Sequence, residues 1–170
     1  MKEEFNADIS TATNLLEARL VYGSSELYLK FNSTINKIIN IKKFFKEKIT
    51  EQTIRHRKYR DSAYQLEPNI KESPGGLRDL QIILWIAASQ NKGKNFEELK
   101  QREILSADQY KKIRLTTNKV NKYRILLHIL SKSTDDRLTF DVQARLSKAL
   151  GYQAKTNKKS SEVLMKSYYK

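Results

Sequence analysis

The chain has no cysteine, and its 170 residues include only two prolines and five glycines. Without cysteine it can form no disulfide framework, no thiolate zinc site and no thiol nucleophile. The longest apolar run, residues 82–88, is much shorter than the ~20 residues that a bilayer-spanning helix needs, and the N-terminal stretch has no apolar signal core. We therefore predict a cytoplasmic protein without a membrane partner.

Positive charge is in clear excess, with 33 lysine and arginine residues against 19 acidic ones and a net charge of +14 at pH 7. Such an excess can indicate nucleic acid, an anionic membrane or a phosphorylated ligand. Most of the lysines are dispersed, and no nucleic-acid-binding motif is present, so we predict no nucleic-acid partner. The densest block, Arg-His-Arg-Lys-Tyr-Arg at 55–60, is either an anion-binding patch or a solvated helix end.

Apolar residues recur at helical spacing along most of the chain, and no run alternates as a strand would. The pattern predicts an all-α fold, an irregular bundle of about seven helices with one long loop, 60–76, before a buried central helix. Capping residues and glycines mark the helix ends. Ser106 and Gln109 have the spacing of a capping box, and Asp141 is expected to cap the helix that follows. The predicted helical stretches run from Asp8 or Ser10 to Gly23, from 24 to about 40, and over 41–59, 77–88, 96–102, 106–132, 141–150 and from 160 onward.

The segment 66–88 holds both prolines, two of the five glycines and the only tryptophan. Pro68 and Pro74 exclude a helix in its first half, because each fixes φ and restricts the residue before it. The pair Gly75–Gly76 lets the backbone take a positive φ and lets another group approach closely. The second half is predicted to be a helix with one apolar face formed by positions 77, 80, 83, 84 and 87.

A glycine turn that opens a helix leaves free N–H groups at the positive end of the helix dipole, where anions bind. Lys71 and Arg78 add positive charge to this place, and Arg78, Gln81 and Trp85 form a second stripe along the helix. In the alternative interpretation, Arg78 and Asp79 pair with neighbouring helices and the glycines only cap the helix.

The segment 66–88 resembles the signature of bacterial PII uridylyltransferase/uridylyl-removing enzymes. The similar parts are Leu-Glu-Pro-Asn at 66–69, Lys-Glu at 71–72 and Pro-Gly-Gly-Leu-Arg-Asp-Leu-Gln at 74–81, with Trp85 on the next turn. A looser version occurs in glutamine synthetase adenylyltransferases. Four further blocks follow the family's order along the chain, at 15–23, 136–143, 150–152 and 165–169.

The resemblance implies that residues 1–23 are the tail of a nucleotidyltransferase domain and that 24–170 form the family's helical domain. The chain would be a fragment of a bifunctional [protein-PII] uridylyltransferase/uridylyl-removing enzyme of nitrogen regulation, supporting UTP-dependent uridylylation of PII. The implied partners are the PII signalling protein and the flanking catalytic domains. Mg²⁺ and UTP are the implied cofactor and substrate of the intact enzyme.

The catalytic motifs of that family are missing from the sequence. Nucleotidyl transfer by that family uses a Gly-Ser-rich turn together with an Asp-x-Asp pair that clamps Mg²⁺ on the triphosphate, and this Gly-Ser…Asp-x-Asp arrangement is absent from the sequence. The His-Asp motif of the uridylyl-removing domain is absent too. His56 and His128 lie far apart without a clustered carboxylate, and we interpret them as core or surface histidines. We predict no catalytic residue and no metal ligand here, and no activity for the chain alone.

The candidate site is the loop–helix segment. We expect Lys71, Arg78 and the amides of Gly75 and Gly76 to hold the UTP phosphates or the target loop of PII. The predicted supporting residues are Glu67, Asn69, Glu72, Asp79, Gln81 and Trp85, and the three acids among them would orient the two cations. Three alternatives stay open: a purely structural strut, a basic non-catalytic module that binds an anionic partner through 55–60, and a gene remnant without function.

Overall fold

The computed structural model describes residues 8–59, 65–154 and 157–170, and within them it is all-α, as predicted. The described ranges contain eight helices, where about seven were expected. An isolated antiparallel bridge joins Asn69 and Arg137. None of these helices is both long and apolar enough to cross a membrane. The helices are α1 (Ile9–Leu16), α2 (Ser25–Ile38), α3 (Ile41–Lys58), α4 (Leu77–Ser89), α5 (Phe96–Gln101), α6 (Ala107–Ser131), α7 (Phe140–Ala149) and α8 (Ser160–Tyr168).

Polar caps begin several of the helices. The Asp8 carboxylate accepts a hydrogen bond from the Thr11 N–H at 2.8 Å and caps α1. Before α6, the Ser106 hydroxyl accepts from the Gln109 N–H at 3.2 Å while the Gln109 side chain accepts from the Ser106 N–H at 2.9 Å. This reciprocal pair is the capping box that the sequence predicts, and it satisfies two donors that a helix start leaves open.

Helix α1 is shorter than predicted. It ends at Leu16 and not at Gly23, and the carbonyl of Ala18 accepts a hydrogen bond from the Tyr28 hydroxyl at 2.9 Å. A side chain of α2 therefore binds a carbonyl that a longer helix would have used for its own backbone. Gly23 lies outside the helix, with a φ of 117°.

The described residues form two compact units. The first unit comprises the residues up to Ile54 together with Leu80–Tyr110, and the second comprises Arg55–Asp79 together with Lys111–Lys170. The expected division of the chain at residue 23 concerns the domains of a longer enzyme, and it stays a prediction.

Trp85 lies in the core of the first unit, where it is 5% exposed. Its indole N–H donates to the Glu17 carboxylate at 2.7 Å, so the polar edge of the buried ring is satisfied. The predicted apolar face of α4 is partly wrong: Ile83 is 45% exposed, whereas Ile82 is buried. The large tryptophan ring gains more from burial than Ile83 does, and the helix turns the Ile82–Trp85 side inward.

A buried lysine packs beside this tryptophan. Lys48 of α3 is 2% exposed, and its ammonium lies 4.4 Å from the centroid of the Trp85 ring. The same ammonium contacts the Glu51 carboxylate at 2.8 Å. The negative face of the indole and the carboxylate together offset the cost of removing this charge from water.

The core of the second unit is built from aliphatic side chains of several segments. Leu138, Leu146 and Leu164 are completely buried, and α7 packs against α8. Beside them, the Tyr123 hydroxyl lies 2.6 Å from the Tyr152 hydroxyl. Burial raises the pKa of Tyr123 to about 12.

The second-unit core gives a direct stability prediction. Leu138→Ala removes a side chain with no exposed surface, and we expect it to lower the free energy of unfolding by about 2–5 kcal/mol because it leaves a cavity. Leu115→Ala is the matched control: Leu115 is 61% exposed, and the change should be within about 0.5 kcal/mol. Urea denaturation followed by circular dichroism measures both. Equal losses in the two variants would contradict the assigned core.

Candidate functional site

The junction, defined here as residues 65–79, begins with a turn closed by Asn69 and Ser73. The Asn69 side-chain oxygen accepts from the Lys71 N–H at 3.0 Å and from the Glu72 N–H at 2.8 Å. The Ser73 hydroxyl accepts from the Asn69 N–H at 3.0 Å. Asn69, predicted as a supporting residue, therefore shapes the backbone that carries Lys71 and Glu72.

The two glycines of the junction serve different purposes. Gly75 has a φ of 79°, in the left-handed region that favours glycine. Gly76 needs the absence of a side chain, because a Cβ there would lie 2.8 Å from three backbone carbonyl oxygens, those of Ile70, Lys71 and Ser73. Both parts of the glycine interpretation, positive φ and close approach, are confirmed.

The amides of the glycine pair are already bonded within the junction. The Gly75 N–H donates to the Asp79 carboxylate at 2.7 Å, and the Gly76 N–H donates to the Ser73 carbonyl at 2.8 Å. The first amides of α4 are satisfied as well, since Leu77 and Arg78 donate to the carbonyls of Ile70 and Lys71 at 3.1 and 2.9 Å. The expectation that this turn leaves free N–H groups is therefore wrong for these four amides.

Asp79 contacts two side chains of α3. Its carboxylate accepts a hydrogen bond from the Arg55 guanidinium and lies 3.1 Å from the His56 ring nitrogen Nε2. Arg55 also donates to the Glu72 carbonyl at 2.6 Å, and its side chain is only 10% exposed. Because Arg55 reaches both the loop and the first turn of α4, it fixes these two parts of the junction to each other.

Glu72 lies beside the two predicted phosphate-binding cations. Its carboxylate is 3.2 Å from the Arg78 guanidinium and 3.8 Å from the Lys71 ammonium. The side chains of Lys71 and Arg78 keep 31% and 24% exposure, so both reach solvent. The structure thus brings together Lys71, Glu72, Arg78 and Asp79.

Glu67 binds the start of α7. Its carboxylate accepts from the Phe140 N–H at 2.8 Å, at the start of α7. The residue in the capping position of that helix, Thr139, makes no side-chain cap, so Glu67 supplies the acceptor in its place. Asp141, expected as the cap of α7, lies inside the first turn. Gln81 and Trp85 belong to the first unit.

A short backbone pairing ties the junction to residues 136–138. The Ile70 N–H donates to the Asp136 carbonyl, and the Leu138 N–H donates to the Pro68 carbonyl, both at 2.8 Å. The Gln143 side-chain amide adds a bond to the Leu66 carbonyl at 2.6 Å. Two of the sequence blocks that carry the family resemblance, 66–81 and 136–143, are therefore in direct contact within the second unit.

Asp136 is held by two side chains of α6. Arg124 donates to its carboxylate at 2.7 and 3.2 Å, and the His128 ring nitrogen lies 2.8 Å from it. Burial raises the pKa of Asp136, but the hydrogen bonds and positive charge of Arg124 and His128 outweigh it and hold the pKa below 3.8. Asp136 therefore stays ionised at neutral pH beneath the backbone pairing.

Several side-chain contacts in and beside the junction were not predicted from the sequence. His56 and His128 were expected to lack a carboxylate partner, and each contacts one, Asp79 and Asp136 respectively. Arg124 and His128 are one helical turn apart, and this spacing could have indicated that both side chains bind the same group. No comparable spacing in the sequence indicates that Arg55 pairs with Asp79.

The basic block 55–60 and possible metal ligands were the other candidates from the sequence. In the basic block 55–60, Arg55 and His56 are bound to the junction, Arg57 and Lys58 are exposed, and Arg60 lies outside the described residues. No group of three or more histidine, aspartate or glutamate side chains within 8–59, 65–154 and 157–170 is placed to hold a metal ion.

Comparison with known proteins agrees with the resemblance. The family model described as GlnD PII-uridylyltransferase matches residues 43–170, so the chain belongs to this family. A bifunctional uridylyltransferase/uridylyl-removing enzyme of Aromatoleum aromaticum is 43% identical over 95% of the chain. Enzymes with the same name from Bordetella avium and Burkholderia orbicola are 40% and 39% identical over 98% of it.

The matched region is a small part of these relatives. The chain covers 19% of the Aromatoleum and Bordetella enzymes and 20% of the Burkholderia enzyme. No solved structure matches the chain.

The glycine pair supplies a test of the junction's geometry. We expect Gly76→Ala to lower the free energy of unfolding by about 1–3 kcal/mol, because three carbonyl oxygens must move to admit the methyl group. Gly75→Asn is the matched control, since asparagine tolerates a positive φ and nothing lies within 4 Å of a Cβ at this position. Urea denaturation compares the two variants. A Gly76→Ala protein as stable as Gly75→Asn would contradict the close packing.

The ion pair of Asp136 predicts a pH dependence. Its pKa in the folded state is depressed, so its contribution to stability is present above pH 3.8, the ordinary value, and is lost as the pH falls through the lower folded value. We expect the free energy of unfolding to fall more steeply below about pH 4 in the parent protein than in Asp136→Asn. Denaturation at a series of pH values measures this difference. Parallel curves for the two proteins would contradict it.

Proposed function

We propose that this chain acts as the helical domain of a bifunctional [protein-PII] uridylyltransferase/uridylyl-removing enzyme of nitrogen regulation, in the cytoplasm. Its task there is to support UTP-dependent uridylylation of PII beside the flanking catalytic domains. Membership of the family supports the proposal. The observation that carries it is the junction, where Lys71 and Arg78 keep exposed surface next to a tightly bonded turn.

The phosphate contact that we propose is made by side chains. The junction's amides at residues 75–78 are bonded internally, and they hold the backbone from which Lys71 and Arg78 project. Arg78 presents planar donors that suit phosphate oxygens, and Lys71 adds a mobile point charge. One carboxylate, Glu72, is shared by both cations. A triphosphate or an acidic segment of PII that approaches this place would therefore meet a positive surface.

The supporting residues act by fixing this surface. Asn69 closes the turn, and Asp79 receives Arg55, His56 and the Gly75 amide. The carboxylates of Glu72 and Asp79 are already bound by side-chain and backbone donors, so the junction does not fit a resident Mg²⁺, which prefers several free oxygen ligands. We propose that Mg²⁺ enters with the UTP phosphates and is bound by groups elsewhere in the enzyme.

Calorimetric titration of the chain with UTP and Mg²⁺ tests the phosphate site. We expect binding that is weakened about tenfold in Arg78→Ala and in Lys71→Ala, since a hydrogen bond to a charged group contributes roughly 1.5–3 kcal/mol. Lys92→Ala is the control, because Lys92 is an exposed lysine of the turn after α4 and the variant makes the same change in net charge. Binding unaffected by either junction variant would contradict the assignment.

Activity is tested in a chimera in which this chain replaces the matching part of the Bordetella avium enzyme. We expect Lys71→Ala and Arg78→Ala to raise the KM for UTP or to lower kcat for uridylylation of PII, while Lys92→Ala leaves both unchanged. If both junction variants retain the KM and kcat of the chimera, the junction has only a structural role.

A further inference from the structure

The first unit contains a cleft that the nucleotide proposal does not use. Its volume is about 310 Å³, and it lies between α1, α2 and the turn that joins α4 to α5. The floor is apolar and is formed by Leu15, Leu16, Ile35 and Ala88. Leu16, Ile35 and Ala88 are at most 8% exposed, so the floor is a continuation of the first-unit core.

Two cations stand at the rim of this cleft. The Lys94 ammonium donates to the Asn32 side-chain oxygen at 3.1 Å and lies 5.9 Å from the centroid of the Tyr28 ring. The Arg102 guanidinium donates to the Asn91 carbonyl at 2.7 Å. Both acceptors are uncharged. Within the part of the chain that the structure describes, neither cation contacts a carboxylate through its charged group.

The acidic residue of the lining, Glu98, uses its carboxylate to bind the turn before α5. Glu98 accepts from the Lys94 backbone N–H at 3.0 Å and from the Asn95 side-chain amide at 2.6 Å. Its carboxylate therefore caps the turn before α5. The side chain of Asn32 and the charge of Lys94 hold the pKa of Tyr28 below its usual value, which agrees with a positive potential at this end of the cleft.

We propose that the cleft binds a small organic anion, a carboxylate with a short apolar body. The carboxylate pairs with Lys94 and Arg102, and the apolar body covers the floor formed by Leu15, Leu16, Ile35 and Ala88. An apolar concavity with a few convergent polar groups is the usual form of a small-molecule site. All of the residues involved belong to the first unit, so the proposal is independent of the phosphate contact at the junction.

Nuclear magnetic resonance of the ¹⁵N-labelled chain, titrated with hexanoate, tests this proposal. We expect saturable shifts of backbone amides that line the cleft, such as those of Leu16, Gly93 and Lys94. The same titration with 1-hexanol and with hexylammonium separates charge from apolar contact. Hexanoate should bind at least about tenfold more tightly than hexylammonium, which two cations repel. Equal shifts from all three ligands, or none from hexanoate, would overturn the proposal.

Substitutions of Lys94 and Arg102 test whether these two residues bind the carboxylate of hexanoate. Lys94→Met combined with Arg102→Met keeps the apolar stems and removes both charges, and we expect it to weaken hexanoate binding about tenfold. Lys92→Met is the control: Lys92 is exposed in the same turn, does not line the cleft, and should bind as the parent does. The amide spectrum of each variant reports whether it is folded. A folded double variant with the parent's hexanoate affinity would overturn the assignment.

Discussion

The guanidinium of Arg55 contacts two parts of the junction at once, the backbone carbonyl of Glu72 and the carboxylate of Asp79. Its side chain is nine-tenths buried. The low-dielectric surroundings strengthen the attraction between Arg55 and Asp79, and breaking the pair would leave an uncompensated buried charge. Asp79 then accepts from the Gly75 amide, which holds the glycine turn against the first turn of α4. Arg55 therefore links the loop that carries Lys71 to the first turn of α4, which carries Arg78.

A second set of contacts supports the junction from the other side. Asp136 is fixed by Arg124 and His128, and its backbone pairs with Ile70. In the same region, the Glu67 carboxylate of the junction caps the start of α7 by accepting from the Phe140 N–H. The two blocks that identify the family, 66–81 and 136–143, are thus parts of one structural arrangement.

The parts of this structure that depend on local spacing could be predicted. Apolar periodicity predicted the helices, the Ser106–Gln109 pair predicted a capping box, and Gly75–Gly76 predicted a positive φ with close packing. Contacts between distant residues could not be predicted from spacing: Arg55 and Asp79 are 24 positions apart, and Glu67 and Phe140 are 73 apart. The glycine amides looked open because their acceptors, the Asp79 carboxylate and the Ser73 carbonyl, are brought to them by the fold of the loop and the first turn of α4. The inward side of α4 was misjudged because positions 82 and 85 compete with 83 for burial.

Arg55 and Asp79 join the loop of the junction to the first turn of α4, so their side chains should be energetically coupled. A double-mutant cycle with Arg55→Met and Asp79→Asn measures this coupling, because methionine keeps the aliphatic stem and asparagine keeps an acceptor for the Gly75 amide. Urea denaturation of the parent, both single variants and the double variant gives the coupling free energy. We expect a coupling of about 1.5 kcal/mol or more, as for interacting buried groups. Losses that add to within about 0.5 kcal/mol would contradict it.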